Sequence, residues 1–157
     1  MLGEFQPGYW GRLVARRVDG MRTNGARMLP AAGSFPVLLA LLQAGESALV
    51  QFDVPGRERV QFLGKPVMMR TGTAKLSMEA GALVAPVRTR REGQHVWLDA
   101  APSLDPHDFS DVLEMHRALA SVHERWVLEH PEALEDPLRP GSWAGATPEG
   151  WPAPPES

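Results

Sequence analysis

Cysteine is absent from this sequence. Its absence excludes a disulfide framework, cysteine-bound zinc and a thiol nucleophile, and is compatible with a reducing compartment. Long hydrophobic runs are missing as well. The longest apolar stretch, FPVLLALLQAG, runs from Phe35 to Gly45, well short of the roughly 18–20 residues that span a bilayer. The opening MLGEFQPGYWGRL lacks the basic-then-apolar layout of a signal peptide, so a soluble or peripheral protein is expected. Aromatic residues make up only 7% of the chain. They do not interleave with the basic residues as single-strand nucleic-acid binders require, so no nucleic-acid partner is expected. No P-loop, nucleophile elbow or zinc-ligand spacing occurs. Neither a metal nor a bound cofactor is therefore expected.

Acidic charge is scarce in the first part of the chain and basic charge in the second. Residues 1–91 carry 13 Lys/Arg against 6 Asp/Glu, a balance of +7, and residues 92–157 carry 3 against 13, a balance of −10. The two sum to the net −3 of the whole chain. Such halves either neutralise each other or mark a first half that meets something anionic.

The chain's 157 residues, 43% of them hydrophobic, suit one globular domain. Residues 9–21 have helical spacing with a basic face, broken near Gly20, followed by an Asn24-Gly25 turn and a short strand. Ser34, Pro36 and Gly45 bracket a helix whose apolar residues run all round, which predicts burial. SALVQF (47–52) reads as an interior strand, and Val60 and Phe62 alternate with Arg59 and Gln61 in a second. Residues 73–80 form a short helix ended by Gly81. Strands follow in ALVAPVRTR, with Pro86 at an edge or bulge, and in GQHVWLDA. A long helix over 106–130, capped by Asp105, carries an apolar stripe of Phe109, Val112, Leu113, Leu119, Ala120, Trp126 and Val127. This order predicts an α/β domain over residues 1–136 with a mixed sheet flanked by helices. Residues 137–157 hold six prolines and read as a poorly ordered tail.

Five histidines supply the candidate chemistry. His116 and His123 are seven residues apart on the helix stripe, about 10 Å, too far to share an ion, and read as half-buried, satisfied side chains. HVWLD (His95, Asp99) and HDFSD (His107, Asp111) each put an acid four residues after a histidine. The first has strand spacing and the second lies in a capping turn, so neither is favoured as a catalytic pair. Asp53 ends an apolar run before Pro55-Gly56, read as a turn. It is a catalytic acid, a ligand contact or a turn former.

Several elements in sequence order have a familiar look. They are Leu42-Gln-Ala-Gly45, Asp53, Phe62-Leu-Gly-Lys-Pro66, Gly72-Thr-Ala-Lys-Leu-Ser77, Gly81-Ala-Leu-Val-Ala-Pro-Val87 and VLEHPEAL at 127–134. Together they make the chain resemble, over about residues 9–134, the C-terminal part of the lysophospholipid acyltransferase superfamily. The lipid A biosynthesis and phosphatidylinositol mannoside acyltransferase branch is the nearer match. One departure is Leu134, where that branch usually has tryptophan.

The resemblance implies transfer of an acyl chain from an acyl-CoA or acyl-carrier-protein thioester to a hydroxyl of a (glyco)lipid acceptor. It implies a peripheral protein at the cytoplasmic face of the plasma membrane, with an anionic membrane surface, the lipid acceptor and the acyl donor as partners. Arg22 matches the family's arginine in an R-x-x-G-like segment and would contact an anionic headgroup. Asp53, Arg57 and Arg59 would lie beside it at a strand end, with Asp53 positioning or bounding a ligand, or capping the turn. The family's general base, a histidine separated from a following acid by four intervening residues, lies ahead of the matched region. HPEALE (130–135) has that spacing at the wrong end of the domain, so no catalytic residue is assigned. A chain without the base is expected to be inactive alone: truncated, degenerate, complemented by a missing N-terminal half, or oligomeric. The other readings are a non-catalytic lipid- or protein-binding remnant and an unrelated small α/β enzyme using His95 or His107.

Overall fold

A computed structural model describes residues 19–30, 33–52 and 55–131, and every statement below concerns those residues. The chain divides at Leu38 into two compact units, each treated by itself.

In the first unit residues 19–23 are helical. The break expected at Gly20 therefore falls later, because the stop is made further on. The Ala26 N–H reaches the Met21 carbonyl at 3.0 Å and the Gly25 N–H reaches that of Arg22 at 2.9 Å. Gly25 takes a left-handed φ of 83°, which completes a Schellman ending. Thr23 Oγ1 and Asn24 Nδ2 donate back to the carbonyls of Asp19 and Gly20, at 2.8 and 2.9 Å. The turn at Asn24-Gly25 is thus as expected, but residues 26–30 form no strand.

Helix α1, Phe35–Gln43, ends by the same device. Glu46 and Gly45 donate to Leu41 and Leu42, each at 3.0 Å, with Gly45 at φ 82°. Its expected burial is not found: no residue of α1 is buried. Apolar surface on all sides needs neighbours on all sides, and too little packs on this helix to supply them. SALVQF likewise forms no strand. It joins no ladder among the described residues, and Leu49 is 82% exposed.

Strands β1 (Pro55–Phe62) and β2 (Lys65–Met69) form an antiparallel hairpin in which Val60 faces Val67. Its turn is Leu63-Gly64, with φ of 51° and 71°. Positive φ at both positions matches the twist of the strands, but it is costly for leucine. That cost is offset by a 2.6 Å hydrogen bond from the Leu63 N–H to Glu124 Oε1 and by packing of its side chain on the core. Pro55-Gly56 is therefore not the turn that the sequence suggested. The pair lies within β1 at a bulge where Met69 faces both Pro55 and Glu58. A Cβ at Gly56 would stand 2.3 Å from the backbone of Met69 and Arg70, so only glycine fits there.

Helix α2, Gly72–Ala80, ends at Gly81 with φ 65°, as expected. Beyond it Val84 bridges Leu104 and the Ala101 N–H bonds the Pro86 carbonyl. Pro86 thus stands just outside β3 (Val87–Glu92), which pairs with β4 (His95–Ala100) in a second antiparallel hairpin. The expected mixed sheet resolves, among the described residues, into these two separate hairpins. The class remains α/β, but the unpaired 47–52 segment leaves nothing to join the hairpins into one sheet.

The long helix is shorter than its periodicity suggested. Asp105 caps only a 3-10 turn, Pro106–Asp108, and helix α3 runs from Val112 to Glu129. Its true cap is Asp111, which accepts from the Glu114 N–H at 2.8 Å. Glu114 in turn accepts from the N–H and hydroxyl of Ser110, both at 2.7 Å. Two overlapping caps in one acidic stretch make the boundary ambiguous in sequence.

Two apolar clusters form the core. One joins Val60, Phe62, Val67 and Met69 to Ala120 and Val127, and the other joins Ala74 to Met115 and Leu119. Phe52 packs against both. The buried stripe of α3 includes Met115 and Val122, which sequence reading passed over, whereas Leu113 is 37% exposed.

Gly56→Ala is expected to destabilise the protein by about 2–3 kcal/mol through backbone displacement, read from the urea midpoint. Gly20→Ala, whose Cβ would meet nothing within 4 Å, is the contrasting case. It is expected to be neutral or to stabilise by up to ~1 kcal/mol.

Candidate functional site

An apolar cleft of about 350 Å³ opens in the second unit. One wall is the irregular segment carrying Leu49, Val50 and Phe52; a second comes from Thr73, Leu76 and Ser77 of α2. The stretch Ala82–Arg88 and the α3 residues Leu119, Val122, His123 and Trp126 complete it. The unpaired 47–52 segment is thus a cleft wall rather than a strand. Ser77 is held by a 2.5 Å bond to the Ala82 carbonyl, which ties the end of α2 to the loop beyond it.

Arg88 is the cation of this cleft. Its Nε lies 3.4 Å from Asp99 Oδ2, its Nη2 3.2 Å from Glu129 Oε2, and its Nη1 donates to the Trp126 carbonyl at 3.4 Å. The guanidinium also lies 5.2 Å from the Trp126 ring centroid, a cation–π contact. Arg90 shares Asp99 at 3.2 Å and reaches Glu92 at 3.1 Å. Hydrogen bonds to Glu92 and Asp99 hold its pKa above the ordinary arginine value.

His123 lines the cleft with its ring stacked on Phe62, centroids 5.3 Å apart, and edge-on to Phe52 at 6.1 Å. His116 differs from the half-buried, satisfied side chain that its spacing suggested. It is fully buried, and neither ring nitrogen has a hydrogen-bond partner. Phe52 lies 5.0 Å from it, and burial pushes its pKa down.

The other histidines gain no catalytic partner. His95 and Asp99 share a face of β4 but stand about 13 Å apart along the strand, and Asp99 is engaged by two arginines. His107 is exposed beside a cap in which Asp111 is committed to Glu114. Among the described residues no group of acids and histidines is arranged to hold a metal ion.

Of the four residues expected at a headgroup site, Asp53 lies outside the described residues. Arg22 is exposed in the helical residues of the first unit. Arg57 and Arg59 are exposed on β1, Arg57 within the bulge between Pro55 and Glu58 and Arg59 opposite Met68. None of these three arginines lines the cleft. Arg88, His123 and Trp126 were missed as site residues. Arg88 comes from β3, far in sequence from His123 and Trp126 on α3, and no local spacing announces their meeting.

Comparison with known proteins adds a third line of information. Residues 12–134 match the profile of the bacterial lipid A biosynthesis acyltransferase family. The chain is also 30% identical, over 130 residues, to a phosphatidylinositol mannoside acyltransferase of Mycobacterium tuberculosis strain CDC 1551 / Oshkosh. The protein of the same description in strain ATCC 25618 / H37Rv gives the same identity. Each alignment takes in 76% of this chain and 40% of the relative. The chain therefore spans well under half the length of the curated relatives it matches.

Burial gives His116 a pH signature. Its pKa lies below the ordinary 6.5 in the folded chain, so on acidification the unfolded chain takes up that proton first. Stability is expected to be complete above pH 6.5 and to fall as pH drops below it, by up to about 1.4 kcal/mol per pH unit. Glu114, whose pKa is lowered chiefly by hydrogen bonds from Ser110, acts only below 4.5. His116→Met is expected to flatten the pH dependence between 6.5 and 5 and to stabilise at pH 7 by about 1–2 kcal/mol, read by denaturant titration across pH.

Proposed function

This chain belongs to the family of bacterial lipid A biosynthesis acyltransferases, and from that premise we propose that it forms the acceptor-binding part of a glycolipid acyltransferase. The reaction joins an acceptor hydroxyl to the carbonyl carbon of an acyl thioester. The hydroxyl oxygen forms the new ester bond, the carbon–sulfur bond breaks, and the thiol of coenzyme A or acyl-carrier protein leaves. The acceptor is an anionic glycolipid such as a phosphatidylinositol mannoside, and the protein works peripherally at the inner face of the plasma membrane. The observation that carries this reading is the family match along residues 12–134.

Two features of the second unit support it. The cleft is walled by aliphatic and aromatic side chains with Arg88 among them, a combination suited to an apolar chain with a polar end. Arg57 and Arg59, both exposed on β1, suit contact with an anionic phosphate. Arg22 and Asp53 complete the proposed headgroup contacts. Among the described residues no helix is long and apolar enough to cross a membrane, which suits a peripheral role.

Proton removal from the acceptor is the step these residues do not supply. The only histidine separated from a following acid by four intervening residues is His130, in HPEALE, and His130 forms the C-cap of α3. Loss of a general base typically costs 10²–10⁴ in rate. The chain by itself is therefore proposed to bind acceptor without turning over. That same observation favours the second reading, a lipid-binding protein of this fold with no acyl transfer at all.

Purified chain is expected to bind micelles of an anionic glycolipid and to release no thiol from acyl-CoA, with or without acceptor. Arg57→Gln and Arg59→Gln are each expected to weaken glycolipid binding about fivefold, or ~1 kcal/mol per arginine. Absence of glycolipid binding would overturn the acceptor reading. Thiol release by the chain alone, stimulated by acceptor, would overturn the missing base.

A further inference from the structure

The β3–β4 hairpin turns its aliphatic side to solvent. Ladder pairing sets Val87, Thr89 and Arg91 opposite Ala100, Leu98 and Val96, and directly opposed residues share a face. All six are exposed, Val96 and Leu98 at 68% and 69%. The other face, with Arg88 and Arg90, is the one tied to α3, through the Trp126 carbonyl and Glu129. This inverts the usual order, in which a strand buries its apolar side and leaves the charged one in water.

Charge divides between the faces in the same way. Arg88 and Arg90 are neutralised by Asp99, Glu92 and Glu129. Arg91, on the aliphatic face, makes no such pair, and its Nε donates to the Gly93 carbonyl at 3.2 Å. The outward face is thus aliphatic along its length and positive at its turn.

We propose that this face is a contact surface for an anionic lipid bilayer. Its size argues against a stable protein interface, which takes about 20–30 residues a side, whereas this face offers six. Its charge argues for anionic lipid. Aliphatic side chains enter the acyl boundary while a neighbouring arginine stays with the headgroup phosphates. The inference rests on the lipid acceptor of the proposed function. Vesicle binding is measured without an acyl donor, so it stands or falls apart from acyl transfer.

The full chain is co-sedimented with phosphatidylcholine vesicles, with and without phosphatidylglycerol. It is expected to bind the anionic vesicles in preference. Arg91→Gln is expected to lower that binding about fivefold, and the double change Val96→Ser with Leu98→Ser by about tenfold or more. Far-UV circular dichroism checks that each variant is folded. Should the double variant unfold, Arg91→Gln decides alone, since its side chain is exposed. Binding equal to the parent in Arg91→Gln overturns the proposal, as does no binding by the parent chain. Self-association of the parent that the double variant abolishes, without vesicle binding, overturns it in favour of a second copy of this chain.

Discussion

Packing of the α3 stripe against the two small elements beneath it carries the second unit. A two-stranded hairpin is marginal in water unless something covers one of its faces. For β1–β2 that cover is Ala120 and Val127, seven residues apart on α3, set over Val60, Phe62, Val67 and Met69. For α2 it is Met115 and Leu119 against Ala74. Phe52 wedges between the two clusters, so the segment leading to Asp53 is placed by the same packing. Each large side chain buried here contributes roughly 1.5–3 kcal/mol. The hydrogen bond from Leu63 to Glu124 adds direction to this packing, because it sets the hairpin tip against one point of the helix.

The second hairpin is held differently. Its link to α3 is polar: one guanidinium spans Asp99 on β4, Glu129 on the helix, and the carbonyl and ring of Trp126. An arginine fork makes several directed bonds at once, which a lysine at the same place could not. The consequence reaches the cleft. Arg88 and Trp126 are both part of its lining, so the contact that holds the hairpin also shapes the polar end of the cavity. It also determines which face of the hairpin is left outward.

The elements that mark this chain as an acyltransferase relative have structural jobs here. Phe62 to Pro66 is the end of β1, the Leu63-Gly64 turn and the start of β2. Gly72 to Ser77 opens α2 and buries Ala74, Leu76 and Ser77. Gly81 stops that helix, and the residues after it line the cleft. A family signature made of glycine stops and hairpin turns reports the scaffold. It leaves open which atoms meet the substrate, and for that reason the arginines expected from the resemblance differ from Arg88, the arginine lining the cleft.

Local features were legible because their causes are local. The glycine stops at Gly45 and Gly81 each follow from the freedom of one residue to take a positive φ. The alternation around Val60 and Phe62 follows from the two-residue period of a strand. The α/β class and the apolar stripe of the long helix could be read from periodicity in the same way. What depends on neighbours distant in sequence could not be read. Whether SALVQF pairs as a strand or lines a cleft, and whether α1 is covered, is a matter of what lies alongside. Full burial of His116 without a hydrogen-bond partner is decided in the same way. Gly56 shows the boundary between the two cases. Its sequence context said turn, yet what demands glycine there is the backbone of Met69 and Arg70 pressed against it across the ladder. Sequence alone determined the kinds of element and where most of them stop. Tertiary structure decided which of them meet, because burial and charge pairing are properties of neighbours in space.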